Sequence, residues 1–203
     1  MILTIIGWFF LFACAGTCGV IAAHLICASV SPAQDGPPPL RLHPVIPILI
    51  FAGVGAMLAA RGASPHVLGL IALLCVPLAG AWQADALKGI VPDELTLIPL
   101  AIVTVGVFLQ HSWWVAGSAI VIFIAFAVSS FFSKGRGMGW GDTKLATLCA
   151  AILGLQSALL TLALACFAAT AVSVVRDRGA RPIAFAPYMV CGVLAALVVT
   201  VHA

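Results

Sequence analysis

Long apolar runs separated by short polar turns dominate the chain. A run of about 20 apolar residues is long enough to cross a bilayer as a helix. The pattern predicts membrane spans over residues 3–28, 45–60, 67–84, 95–110, 113–133, 156–175 and 182–201, with a shorter helix over 143–153. The sequence therefore predicts an all-α, polytopic integral membrane protein of about eight transmembrane helices, folded as a single domain over residues 1–203.

The apolar run after Asp142 is too long for a single span. Residues 143–175 would form about 50 Å of helix at 1.5 Å per residue, whereas the hydrocarbon core is about 30 Å thick. Gly154 interrupts this run, and glycine disfavours the interior of a helix. We therefore predict a break at residues 154–156, between the short helix and the span that follows it.

The amino-acid composition also indicates a membrane protein. The chain is 64% hydrophobic and 7% charged, whereas soluble domains are about 25% charged. The apolar N-terminal run lacks a basic segment before it and is too long for a cleavable signal peptide. The seven cysteines all lie inside apolar runs, which favours neither a disulfide framework nor a zinc site. A net charge of +3 is too small to indicate nucleic-acid binding.

The basic residues are distributed unequally between the two predicted membrane sides. If the spans alternate in direction, one side carries Arg41, Lys88, Lys134, Arg136, Lys144, Arg176, Arg178 and Arg181, and the other carries only Arg61. Cytoplasmic loops are enriched in lysine and arginine. This distribution places the first side in the cytoplasm and both termini outside. All six acidic residues fall on the same predicted inner side.

A glycine-rich segment at residues 134–145 contains a single carboxylate, Asp142. Glycines at alternate positions, 135, 137, 139 and 141, precede it, and long apolar runs flank the segment. An acidic residue next to an apolar span is costly and marks a candidate functional site. Asp142 could instead cap the following helix, but capping does not explain the four glycines. Glycine lets a backbone approach another chain closely.

A second carboxylate, Asp85, lies at the end of the third predicted span and on the same predicted membrane side. A negative charge at the C-terminus of a helix opposes the helix dipole, so Asp85 is unfavourable there on structural grounds. The structural alternative is a carboxylate that is simply solvated. Asp93, which follows Pro92, is predicted to be the N-cap of the fourth span.

Two carboxylates brought together beside an apolar wall repel each other, so one retains a proton while the other is ionised. Such a pair can activate water and polarise a peptide carbonyl, as in aspartic proteases. The chain contains no G-x-S-x-G or HExxH motif, and its histidines are scattered. Two alternatives remain open: a hard cation held by Asp85, Asp93, Glu94 and Asp142, and a proton- or ion-coupled transporter that uses intramembrane carboxylates.

These motifs resemble those of the type IV prepilin peptidases, which are membrane aspartic proteases of the GxGD type. Residues 139–142, Gly-Trp-Gly-Asp, match GxGD. Asp85 precedes Asp93 of a Pro-Asp-Glu-Leu-Thr segment by eight residues, which is the family spacing. Residues 183–188, Ile-Ala-Phe-Ala-Pro-Tyr, are similar to a closing segment of the family. The resemblance covers about residues 67–195.

The resemblance implies an endopeptidase that removes the leader from type IV prepilins or pseudopilins at the cytoplasmic face of the bacterial inner membrane. By this likeness Asp85 and Asp142 form the catalytic pair, and no metal or cofactor is involved. The residues expected to contact the substrate are Gly137, Gly139, Gly141 and Lys144.

Bifunctional members of the family carry a cytoplasmic insert with paired cysteines after the first span, linked to N-methylation of the mature pilin. Here that connection is a short cytoplasmic loop of 13 residues, 31–43, without cysteine. We therefore expect the short, peptidase-only form, without N-methyltransferase activity.

Overall fold

The computed structural model of the chain describes residues 1–29, 43–132, 139–177 and 183–200, and these ranges are largely α-helical. The helices are α1 (Ile2–Ser29), α2 (Val45–Ala60), α3 (Pro65–Lys88), α4 (Glu94–Leu109), α5 (Trp113–Phe132), α6 (Trp140–Leu153), α7 (Leu155–Asp177) and α8 (Ala186–Thr200). The prediction of an all-α fold is confirmed, and most helix ends lie within two residues of their predicted positions.

Four of these helices are long and apolar enough to cross a membrane: α1, α3, α5 and residues Leu155–Val175 of α7. Helices α2, α4 and α8 are also apolar but shorter. Large apolar side chains cover much of the outer surface, which suits contact with lipid. The chain is therefore a polytopic membrane protein. Its orientation stays a prediction, because Arg41, Arg136 and other basic residues that support it lie outside the described ranges.

The bundle consists of two groups of helices joined by α8 and α4. Helices α1, α2 and α3 pack against one another, and α5, α6 and α7 form the second group. Helix α8 contacts α2, α3, α6 and α7, while α4 contacts α3, α5 and α6. No Cα atom of α3 lies within 8 Å of a Cα atom of α6, although both helices are fully described. The relative position of α3 and α6 therefore depends on the elements between them.

Helices α1 and α3 approach each other closely at Gly19. A Cβ atom at this position would lie 2.3 Å from the carbonyl oxygen of Val76 and 2.8 Å from the Cβ of Ala79. Small residues allow such close contact between membrane helices, where van der Waals packing drives association. Gly19 therefore determines how tightly the first helix packs against α3.

The third helix extends further than predicted, to Lys88 rather than to residue 84. Alanine, leucine and lysine at 86–88 all favour helix, so the polarity of Asp85 does not end it. The helix ends at Gly89, which adopts the left-handed conformation (φ 66°) and donates its N–H to the carbonyl oxygen of Asp85 at 2.8 Å. Asp85 therefore lies inside the last turn.

Two helices begin at positions that differ from the predictions. Helix α6 begins at Trp140 rather than at 143, so Asp142 lies in its first turn. Helix α8 begins at Ala186 rather than at 182, because residues 183–185 are not helical. Pro187 suits this first turn, where its missing N–H is not needed. The predicted break is confirmed: Gly154 (φ 75°) separates α6 from α7.

We predict that Gly19→Ala lowers the thermal stability of the detergent-solubilised protein, because the new methyl group collides with the backbone of α3. Overpacking of this kind costs about 1–3 kcal/mol. The matched control is Gly69→Ala in α3, where an added Cβ has no atom within 4 Å. Thermal unfolding of both variants checks the prediction, and equal melting temperatures would contradict it.

Candidate active site

The first predicted site residue, Asp85, is buried, with 5% of its surface exposed. Its Oδ2 accepts a hydrogen bond from the backbone N–H of Ala186 at 2.8 Å, and Phe185 supplies a second backbone hydrogen bond. Ala186 is the first residue of α8, and the N-terminus of a helix attracts negative charge. Helix α8 thus compensates the unfavourable position of Asp85 at the C-terminal end of α3.

The second predicted site residue, Asp142, is partly buried in the first turn of α6. Its Oδ2 accepts a hydrogen bond from the backbone N–H of Gly139 at 3.3 Å. The residue in the N-cap position is Gly139, with extended backbone (φ −75°, ψ 159°). Asp142 is therefore not the N-cap residue, because the helix begins earlier, but its carboxylate does cap the helix by accepting the N–H of Gly139 from the third helical position.

The two carboxylates lie close enough for the charge on Asp142 to act on Asp85. They come from positions 57 residues apart in the chain and from helices whose backbones do not touch. Each carboxylate is held at the N-terminal end of a helix, Asp85 at α8 and Asp142 at α6. A neighbouring pair of this kind can share one proton, and its titration belongs to the pair.

The connection between α3 and α4, residues 89–93, contacts the start of α6. A Cβ atom on Gly141 would lie 2.9 Å from the Cβ of Val91 and 3.1 Å from its carbonyl oxygen. Two residues further along the connection, the Asp93 carboxylate pairs with the Nζ of Lys144 at 2.5 Å. The 89–93 connection therefore contacts the chain on both sides of Asp142.

Asp93 precedes α4 as predicted, but its side chain makes no capping hydrogen bond. Its carboxylate instead forms the ion pair with Lys144, a contact between residues 51 positions apart that local sequence cannot reveal. Lys144 was expected to contact a substrate. In the structure the Nζ of Lys144 forms an ion pair with the Asp93 carboxylate.

The glycines expected to contact a substrate differ in their surroundings. Gly137 lies outside the described residues. Among the described residues, a Cβ atom on Gly139 would meet only Asp142 Oδ2 at 3.6 Å and the backbone N of Gly141 at 4.0 Å. Gly139 is exposed, whereas Gly141 is packed against Val91. The need for glycine at 141 follows from packing within the chain itself.

Some residues near the candidate site were not predicted from the sequence. The amides of Phe185 and Ala186 act through the backbone, so no side-chain pattern marks them. Trp82 and Gln83 are 3% and 1% exposed, yet Trp82 Nε1 and Gln83 Oε1 have no hydrogen-bond partner in the described part of the chain. Trp82 lies on the same face of α3 as Asp85, since residues three apart in a helix are neighbours.

A metal held by several carboxylates was one alternative for these acids. Among the described residues, no group of three or more His, Cys, Asp or Glu side chains is arranged to hold a metal ion. Asp93 is engaged by Lys144, and the Asp85 carboxylate accepts backbone N–H groups. The arrangement can instead carry acid–base chemistry, with two coupled carboxylates at one end of a helical bundle.

Comparison with known protein families matches residues 71–174 to the type IV leader peptidase family. This region is just over half of the chain and contains Asp85, Asp142 and the 89–93 connection. No curated protein and no solved structure matches the chain significantly.

We predict that Gly141→Ala separates the start of α6 from the 89–93 connection, because Val91 leaves no room for a methyl group. Overpacking here costs about 1–3 kcal/mol, seen as a lower melting temperature. Gly139→Ala is the control, since it keeps the backbone N–H that binds Asp142 and its added Cβ meets no atom of the described residues closer than 3.6 Å. A larger loss of stability in Gly139→Ala than in Gly141→Ala would contradict the prediction.

Proposed function

Since this chain belongs to the type IV leader peptidase family, a family of aspartic-type peptidases, we propose that it is a membrane aspartic endopeptidase. It cleaves the leader peptide from type IV prepilins or prepilin-like proteins at the cytoplasmic face of the bacterial inner membrane. The observation that carries the proposal is that Asp85 and Asp142, from distant parts of the chain, are linked by the 89–93 connection, which bonds to Asp85 and contacts Gly141 and Lys144 on either side of Asp142. Both positions match the family motifs.

The pair supports a mechanism that needs neither a side-chain nucleophile nor a metal. The ionised carboxylate takes a proton from water as the water oxygen attacks the carbonyl carbon of the scissile amide. The protonated carboxyl group donates a hydrogen bond to the carbonyl oxygen, and the departing amine then receives a proton as the C–N bond breaks. Backbone N–H groups of Ala186 and Gly139 stabilise the negative charge on the pair throughout.

The surroundings of the pair are consistent with a peptide substrate. The backbones of α3 and α6, which carry the two carboxylates, do not contact each other. Gly139 is exposed and presents no side chain beside Asp142.

The proposed enzyme has a defined membrane topology and a peptidase core within the chain. Eight spans with both termini outside would place the pair on the cytoplasmic side, where the basic residues cluster. The peptidase core covers 67–195 within a single helical domain. A transporter would instead need carboxylates spaced along a path through the bilayer, and both carboxylates lie near one end of the bundle.

We predict that Asp85→Asn and Asp142→Asn each reduce leader cleavage at least about a thousandfold, because either change removes one member of the acid–base pair. The measurement is co-expression with a candidate prepilin, following the size shift of the substrate. Glu94→Gln is the control, an exposed acid at the start of α4 that should leave cleavage unchanged.

Equal membrane insertion of the three variants is established by their abundance in the membrane fraction. Full cleavage by both aspartate variants would overturn the proposal. If the two aspartate variants retain cleavage but lose a proton or ion flux that the wild type shows in liposomes, the transporter is favoured.

A further inference from the structure

The 89–93 connection contacts both Asp85 and the start of α6. At its first residue, Gly89 donates its N–H to the carbonyl oxygen of Asp85 at 2.8 Å. At Val91 it lies against Gly141, one residue before Asp142. At Asp93 it forms the ion pair with Lys144, two residues after Asp142. The connection is therefore bound to the backbone of Asp85 and to residues on both sides of Asp142.

These contacts matter because α3 and α6 do not contact each other directly through their backbones. The separation of the two carboxylates must be determined by elements that contact both helices. Helix α8 holds the Asp85 carboxylate through Ala186, and the 89–93 connection holds the start of α6. The Val91–Gly141 contact resists closer approach but does not prevent separation. The ion pair adds an attraction that opposes separation, together with the packing of α4 and α8 against α6.

The ion pair contributes little to stability. The Asp93 side chain is 60% exposed and that of Lys144 is 24% exposed, and exposed pairs of this kind are weak. Such a contact can affect the placement of the two carboxylates more than it affects the free energy of unfolding. A displacement of about 1 Å in a catalytic constellation can lower the rate by about a hundredfold.

We propose that Asp93 and Lys144 are positioning residues, whose ion pair holds the 89–93 connection against α6 and thereby fixes the separation of Asp85 and Asp142. This inference rests on the proposed peptidase function. It assigns Lys144 a role within the chain, in place of the substrate contact expected from the sequence. Asp93, likewise, acts through Asp142 and is not itself a group that touches the substrate.

The test uses the full-length protein in lipid nanodiscs with a purified prepilin. Asp93→Asn and Lys144→Met should each lower kcat about 10–100-fold and leave KM within about threefold, because the pair is displaced while the substrate surface stays intact. The charge-swapped double variant, Asp93→Lys with Lys144→Asp, should recover at least tenfold of the lost kcat. Glu94→Gln, next to Asp93, should change neither constant.

The opposite result would assign Lys144 to substrate binding. In that case Lys144→Met would raise KM with kcat unchanged, and Asp93→Asn would change neither constant. The charge-swapped double variant would recover none of the lost activity. Any of these three results overturns the positioning role.

Amide hydrogen exchange separates this inference from the proposed function. The single variants should exchange faster than wild type in peptides covering 89–97 and 139–147, and the swapped variant should return towards wild type. This pattern supports the positioning contact even if the wild-type protein cleaves no prepilin, a result that would count against the peptidase proposal alone. Unchanged exchange in both single variants overturns the positioning contact even if the wild type is an active peptidase.

Discussion

The structure depends on how it accommodates a carboxylate buried in an apolar bundle. Removing an ionised group from water costs several kcal/mol unless hydrogen bonds replace its hydration. For Asp85 the replacement comes from backbone N–H groups at the start of α8. Helix α8 also packs against α2, α3, α6 and α7. The element that compensates the charge is therefore the one that joins the two halves of the bundle, so the fold and the candidate site cannot vary independently.

Asp142 is a second carboxylate whose charge the bundle must accommodate. Two like charges near each other destabilise a fold, and a structure selected for stability alone would replace one of them. Here each carboxylate instead lies at the positive end of a helix, Asp85 at α8 and Asp142 at α6. Two helix termini directed at two neighbouring acids form an environment that tolerates negative charge without neutralising it with a cation. Such an environment suits a pair that exchanges protons.

The parts of this arrangement that sequence predicts are those encoded locally. Apolar run lengths predicted the helices, and Gly154 predicted the break between α6 and α7, because both signals lie within a few residues. Polarity at Asp85 indicates a helix end near residue 84, but the helix propensity of residues 86–88 extends α3 to Lys88. The partner of Asp85 was not predictable, since a backbone amide 101 residues away has no identifying side chain. The Asp93–Lys144 ion pair is likewise a contact between residues distant in sequence. The sequence alone indicates a different role for each, an N-cap for Asp93 and a substrate contact for Lys144.

The glycines before Asp142 show how one motif can satisfy two different constraints. From the sequence alone, both Gly139 and Gly141 appeared to make room for a substrate backbone. At 141 the missing side chain admits Val91 of the same chain, so this glycine is required by packing. At 139 the backbone is extended and open, and its N–H binds the Asp142 carboxylate. One glycine thus lets the 89–93 connection pack beside Asp142, and the other binds the Asp142 carboxylate through its N–H.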